Sequence, residues 1–432
     1  ASGVPRPQFH RHQFGFTLGG PVYIPKLFPH KRKIYWFTDF EALRQSSPQS
    51  LTTTVPTPAF ENGDFSALLG PQIGTDALGR PIYQGEIYDP FSTRQVTAGQ
   101  VDPVTGLMST QTGYIRDPFP GNIISPTEAI NSVSGNFLKY FPSPTCSSCG
   151  YVNNYTYAIG APVRSTEYTI RGDFNINEKT HAYARWSHKL QEKTETPEFF
   201  GSDNVGGGGS IAPDNRWDAA MGITRMISPT FVASFNAGWG RWIEGRVTQG
   251  VPFSPSTLGF PSFLNFANAF PTISIDGGYN DGNGTALGSG GLNSTPREAR
   301  SIALDLTKVK GAHTLQFGFM GIELIQNTFN SSIPNFSFPL GMTAGPDPTN
   351  ANPATGWGFA SFLLGTGNSG GVTINADAAF MKKYYGWYFQ DQWRATPKLS
   401  LNLGIRYDFQ TAPTDRFDRL SYFDFTAPNP IS

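Results

Sequence analysis

Any chemistry in this chain has to come from a few groups of residues. Gly367-Asn368-Ser369-Gly370-Gly371 has the G-x-S-x-G form that presents a serine nucleophile on a tight turn. A base is needed to activate it, and the six histidines are at 10, 12, 30, 181, 188 and 313, none of them after the serine. The pentapeptide is expected to be a Gly-rich loop. Asp276-Gly277-Gly278-Tyr279-Asn280-Asp281-Gly282-Asn283-Gly284 offers several oxygen ligands for calcium but lacks the bidentate glutamate that closes such a loop. Cys146 and Cys149 lie in a Pro/Ser-rich stretch with no second ligand pair nearby. They fit a small loop disulfide or two idle thiols better than a zinc or redox site. Asp173 and Asp408 fall in different segments and do not form a catalytic dyad, and no P-loop, dinucleotide fingerprint or H-E-x-x-H occurs. No catalytic residue, metal or cofactor is expected, and the chain is not expected to be an enzyme.

Composition points to a scaffold instead. Gly 48, Pro 35 and 14% aromatic residues suit many strands joined by turn-rich loops. Lys+Arg 32 against Asp+Glu 32 leaves no basic face for nucleic acid. No window approaches the run of about 18 apolar residues that a membrane helix needs, and mean hydropathy is -0.30. If the chain is in a membrane, it crosses as a barrel. It opens on Ala1-Ser2-Gly3 without a leader and stops in the loop-like Ala427-Pro428-Asn429-Pro430, which suggests an internal piece of a longer polypeptide.

The elements follow from strict two-residue alternation. Tyr168, Ile170, Phe174 and Ile176 alternate with Thr169, Arg171, Asp173 and Asn175. After the turn at 177–180, Ala182, Ala184 and Trp186 alternate with His181, Tyr183, Arg185 and Ser187. The same pairing recurs around turns at 227–230, 308–312 and 395–398, and again between Phe14/Phe16/Leu18 and residues 34–40. That makes ten strands in five hairpins. Arg171, Asp173, Arg185, Asp305, Arg406 and Asp408 all fall on the polar phase.

Every second connection is short, while the others span 45–162, 193–215, 248–297 and 330–380. Short turns at one end and long loops at the other mark an outer-membrane barrel, with the turns in the periplasm and the loops outside the cell. A soluble sandwich would also alternate, but four structureless loops of this length argue against it. Trp217, Trp239, Trp242 and Trp393 are expected in the aromatic girdles. Within the loops, Ile87-Tyr88-Asp89-Pro90 and 116–122 could pack on themselves, 357–364 could form a helical turn or two over the barrel mouth, and 206–209 reads as flexible.

Gln13-Phe14-Gly15-Phe16-Thr17-Leu18-Gly19-Gly20-Pro21, residues 37–44, the Asp-Pro-Phe-Pro-Gly-Asn run at 117–122 and the Gln-Asp-Gln-Trp stretch within 384–408 resemble TonB-dependent outer-membrane transporters. The likeness is to the Oar-like type with a carboxypeptidase-regulatory domain, abundant in acidobacteria, and covers nearly the whole chain. It implies an antiparallel transmembrane barrel of about 22 strands closed by a plug. Residues 1–432 would then be a partial barrel domain, strands about two to eleven, with the plug and the regulatory domain absent.

The resemblance also implies a Gram-negative outer-membrane location, lipid contact, TonB engaged through the missing plug, and capture of an unidentified ligand by the loops. Siderophore, cobalamin, glycan and peptide all remain open. On this view Arg171, Asp173, Arg185, Asp305, Arg406 and Asp408 line the lumen. The alternatives are a passive porin or surface adhesin barrel and a secreted, soluble, β-rich carbohydrate-binding module.

Overall fold

A computed structural model describes residues 8–23, 33–125, 130–195, 209–248, 250–276, 286–288, 292–374, 377–421 and 424–426. Ten long strands dominate it: β1 (His10–Pro21), β2 (Ile34–Thr53), β3 (Tyr155–Asn177), β4 (Thr180–Glu195), β5 (Ser210–Ser228), β6 (Phe231–Thr248), β7 (Asn293–Lys310), β8 (His313–Asn330), β9 (Ala378–Thr396) and β10 (Leu399–Gln410). They pair consecutively and antiparallel, and Thr414–Asp415 adds a short pairing to β9. The five hairpins expected from alternation are all present.

Register explains why the sheet forms this way. Directly opposed residues share a face, and the apolar phases of neighbouring strands are opposed. Phe16 faces Phe40, which faces Tyr168. Trp186 and Trp239 flank Ala219, and Ile302 is opposite both Ala237 and Gly321. Phe319 faces Trp387, which faces Tyr407. The resulting face is continuous and exposed: Phe14, Ile170, Met221, Leu403 and Ile405 all lie open, Ile405 at 72%. An apolar surface this extensive requires a nonaqueous neighbour. A slip of one residue would exchange it for the polar face.

The strands run further than alternation indicates. Residues 46–53 of β2 still pair with 155–162 of β3, so the first long connection spans 54–154 and not 45–162. The others span 196–209, 249–292 and 331–377. Beyond the apolar band the phase changes: Tyr155, Tyr157 and Ala161 of β3, on the parity of Arg171 and Asp173, are buried, the two tyrosines in the loop core, so the single alternating signal breaks while the backbone ladder continues. Among the described residues no helix is long and apolar enough to cross a membrane, which says nothing of strands.

The buried core lies in the loops. Phe60, Phe65, Phe137, Phe270, Phe359 and Phe362 come from three different connections and form one cluster. Phe137 packs edge-on against Phe270 at 5.5 Å and Phe362 at 6.1 Å. Each fully buried ring contributes about 1.5–3 kcal/mol. The helix Gly358–Leu363 is buried along its whole length, and Thr272–Ile275 pairs in parallel with Asn335–Phe338 across two connections. The loops therefore form a folded cap. Of the readings made for the loops, 206–208 and 277–285 lie outside the described residues.

Candidate functional site

The polar face of the wall is built by the same register. A continuous row of cross-strand neighbours runs from Asp173 through Tyr183, Gly222, Asn236, Ala303, Met320 and Gly386 to Asp408. Arg171, Arg185, Asp305 and Arg406 are each two residues from a member of that row, so all six sequence-predicted positions share this face. They do not form a single cluster. Arg171 pairs with Asp173 at 2.7 Å and Arg406 with Asp408 at 2.9 Å, each within its own strand. The Tyr384 hydroxyl also donates to Asp408. Asp305 accepts from Tyr388 at 2.9 Å. Arg185 stands opposite Arg171 and has no hydrogen bond or ion pair among the described residues.

Two features escaped sequence reasoning, one on this face and one in the cap. Trp242 was expected in a girdle, but it lies on the polar face, opposite Arg216 and Arg297. Both guanidinium groups lie over its ring, at 4.5 and 4.8 Å, and its indole Nε1 donates to Asp214 at 2.8 Å. The indole therefore keeps a polar partner. This cluster borders a cavity of about 570 Å³ whose lining includes Asp218, Gln326 and Lys382. The available signal was Asp214-Asn215-Arg216, the i,i+2 ion-pair spacing also found at Arg171 and Asp173. Trp217, Trp239 and Trp393 do lie on the apolar face, with Trp239 Nε1 donating to Glu298 at 3.0 Å.

The second feature is a buried ionic cluster within the cap. Arg94 forks onto Asp102 at 2.8–2.9 Å and also reaches Asp117 at 2.6 Å. Arg80 bridges Asp117 at 2.5 Å and Asp76 at 2.6 Å. Hydrogen bonds from Arg94 hold the Asp102 carboxyl well below the usual carboxylate range. Burial alone would raise Asp117, but its bonds to Arg94 and Arg80 win and lower it. Burial, reinforced by a hydrogen bond to Glu86, pushes the Tyr88 hydroxyl far up. Arg116 of the first connection is 7% exposed. Its guanidinium donates to the carbonyls of Ala344 at 2.7 Å and Met342 at 3.1 Å in the fourth.

The groups that suggested catalysis are dispersed. Ser369 lies exposed on the short strand Ser369–Gly371, and among the described residues its hydroxyl meets only Asn368 at 3.4 Å. His181, His188 and His313 bond to Asn175, Asn215 and Asp391 respectively. Asp173 and Asp408 are held by separate arginines on β3 and β10. Cys146 and Cys149 form a disulfide with Cα atoms 5.4 Å apart. No group of three or more His, Cys, Asp or Glu residues is placed to hold a metal among the described residues, and most of the candidate calcium loop lies outside them.

The family model for an outer membrane beta barrel domain matches residues 1–431. No curated protein matches the sequence. Among solved structures, the outer membrane transporter YddB from Escherichia coli is similar at 7% identity and a TM-score of 0.45, over 95% of this chain and 36% of that one. A variant of the ferric enterobactin receptor PfeA from Pseudomonas aeruginosa gives 8%, 0.35, 93% and 37%. The ferric-catecholate import receptor Fiu from E. coli gives 9%, 0.30, 94% and 53%. The chain thus spans roughly a third to a half of the structures it matches. A greasy exposed face, a charged face behind it, tight turns at one end and a folded cap at the other suit one setting, and with the match along the whole sequence they show that this chain belongs to the outer membrane beta barrel family and resides in the outer membrane of a Gram-negative bacterium.

Proposed function

We propose that this chain is part of the wall and outer loops of a TonB-dependent transporter of the Oar-like type, importing a large or scarce ligand through a plugged lumen, and that it carries no enzymatic activity. In this reading Arg171, Asp173, Arg185, Asp305, Arg406 and Asp408 line the lumen, and Arg185 is a cation available to a passing anionic group. The plug, the TonB contact and the ligand belong to the whole protein.

The observation that carries the reading is the cap. Three long connections share one aromatic core over the same end of the wall, an arrangement suited to capture and closure more than to an open diffusion pore. Planar-bilayer conductance of the intact protein provides the test. A plugged transporter leaves the bilayer without stable channels, whereas steady open channels in every insertion would replace this reading with a passive porin.

A further inference from the structure

We propose that the outward face of β1–β3 holds the phosphorylated headgroup of an outer-leaflet lipid, with Arg44 and Arg164 as its ligands. The inference rests on the apolar face being the lipid face and not on the transport reading.

His12 of β1 is directly opposite Arg44 of β2, and Arg44 is directly opposite Arg164 of β3. Two residues along from His12 and Arg44, Phe14 and Ala42 are opposed, so this row continues the apolar face at the end away from the tight turns. Like charges placed directly opposite on neighbouring strands repel, and an arrangement of this kind is stable beside an anion. Glu192 of β4 is opposite Arg164 but forms no ion pair with it among the described residues. Arg164 is exposed and has no hydrogen-bond partner among the described residues. Arg44 is already oriented: its Nη1 donates to the Leu43 and Ser165 carbonyls at 2.8 and 2.5 Å and its Nη2 to Thr166 Oγ1 at 2.9 Å, so Nε and the second Nη2 hydrogen are the donors it has for a ligand.

The surface on the membrane side of this row suits a lipid. Phe40 contacts Phe14, Phe16 and Tyr168 at 6.3, 5.5 and 5.2 Å, and Phe14, Phe16 and Tyr168 are 54, 53 and 44% exposed. A guanidinium pair above an aromatic platform matches a molecule with phosphate above acyl chains. At the same end of this face on β6–β9, cations and carboxylates are interleaved: Arg241 is opposite Glu298, Arg300 pairs with Glu298 at 2.7 Å and Glu323 at 3.0 Å, and Lys383 with Glu323 at 3.8 Å. Each of those cations has a carboxylate beside it, whereas neither Arg44 nor Arg164 forms an ion pair among the described residues, and this difference places phosphate binding at β1–β3.

The intact protein, delipidated in detergent, is titrated with diphosphorylated lipid A, with its phosphate-free form and with inorganic phosphate, and retained adducts are read by native mass spectrometry. Wild type is expected to retain the diphosphorylated lipid at least about tenfold better than the R44Q/R164Q variant, with R44K/R164K recovering much of the difference. Heat-modifiable migration of each variant checks that the barrel is folded. Equal retention of phosphorylated and phosphate-free lipid overturns the proposal, as does an R300Q loss as large as that of R44Q/R164Q. Competition by inorganic phosphate at the same concentration as the lipid reduces the site to a bare anion site and also overturns it.

Discussion

The Tyr388 hydroxyl donates to Asp305 Oδ1 at 2.9 Å although β8 runs between their strands. Gly318 makes this possible. It is opposite Asp305 on one side and Tyr388 on the other, and a Cβ there would fall 1.8 Å from a Tyr388 ring carbon. The ring lies over the glycine to reach the carboxylate. Gly222 holds the same place between Tyr183 and Asn236, where the hydroxyl–amide distance is 3.4 Å. In both places three strands are joined on the polar face by an aromatic ring.

Gly318→Ala is therefore expected to displace Tyr388 and lower the unfolding free energy, read from urea titration in detergent, by about 1–3 kcal/mol. In a Tyr388→Ala background the same substitution should cost much less, because the clash is gone. The double-mutant cycle measures that coupling. Additive effects would show that ring and glycine are independent. Tyr183→Phe should cost less than Tyr388→Phe, since its hydrogen bond is longer and its acceptor uncharged.

Site-directed spin labels test the two faces. Labels at Ile170 and Leu403 should be relaxed by oxygen dissolved in the bilayer, and labels at Arg171 and Asn402 by a water-soluble nickel chelate. Alternation requires this contrast at adjacent positions. Equal accessibility of Ile170 and Arg171 would refute the register of β3 and with it the lumen assignment of the six charged residues.

The wall was legible in the sequence because its physics is local: Ile302, Leu304 and Leu306 announce a strand without reference to anything distant. Its limits were not, since the ladder at 46–53 persists after the apolar phase has ended. Trp242 was misassigned for a related reason. Position along a strand does not settle the face, and the parity that does so becomes visible only once Arg216 and Arg297 are seen opposite it. Asp391 is likewise hidden among greasy neighbours, opposite Leu315 and Leu403, with His313 bonded to it at 2.7 Å. The cap was least legible. Phe137, Phe270 and Phe362 lie in three connections without periodic spacing, and their contact is a property of the assembled loops.

The ionic cluster makes the cap sensitive to acid. Asp102 has a folded-state pKa below its unfolded value, so its stabilisation is present above about pH 4 and is lost as pH falls toward the folded value. Hydrogen exchange of peptides covering 94–117 should stay constant from neutral pH down to about 5, after correction for intrinsic rates, and accelerate below about 4. Arg94→Met leaves Asp102 and Asp117 without this cation and should weaken the cap by about 3 kcal/mol at neutral pH. Protection that is unchanged in Arg94→Met would mean that the cluster does not stabilise the cap.

Arg116 couples the first long connection to the fourth. Its carbonyl acceptors, Ala344 and Met342, belong to a segment that also packs on Tyr88, where a Cβ on Gly345 would meet the ring at 2.5 Å. Arg116→Met keeps much of the side-chain volume but leaves those carbonyls buried without donors, a loss of about 1–3 kcal/mol each. Limited proteolysis is expected to cut both 86–119 and 340–357 faster in this variant, with the barrel still heat-modifiable. The simultaneous response distinguishes a shared fold from independent loops. If only the first segment became labile, the two connections would be neighbours without being coupled, and the cap could open in parts.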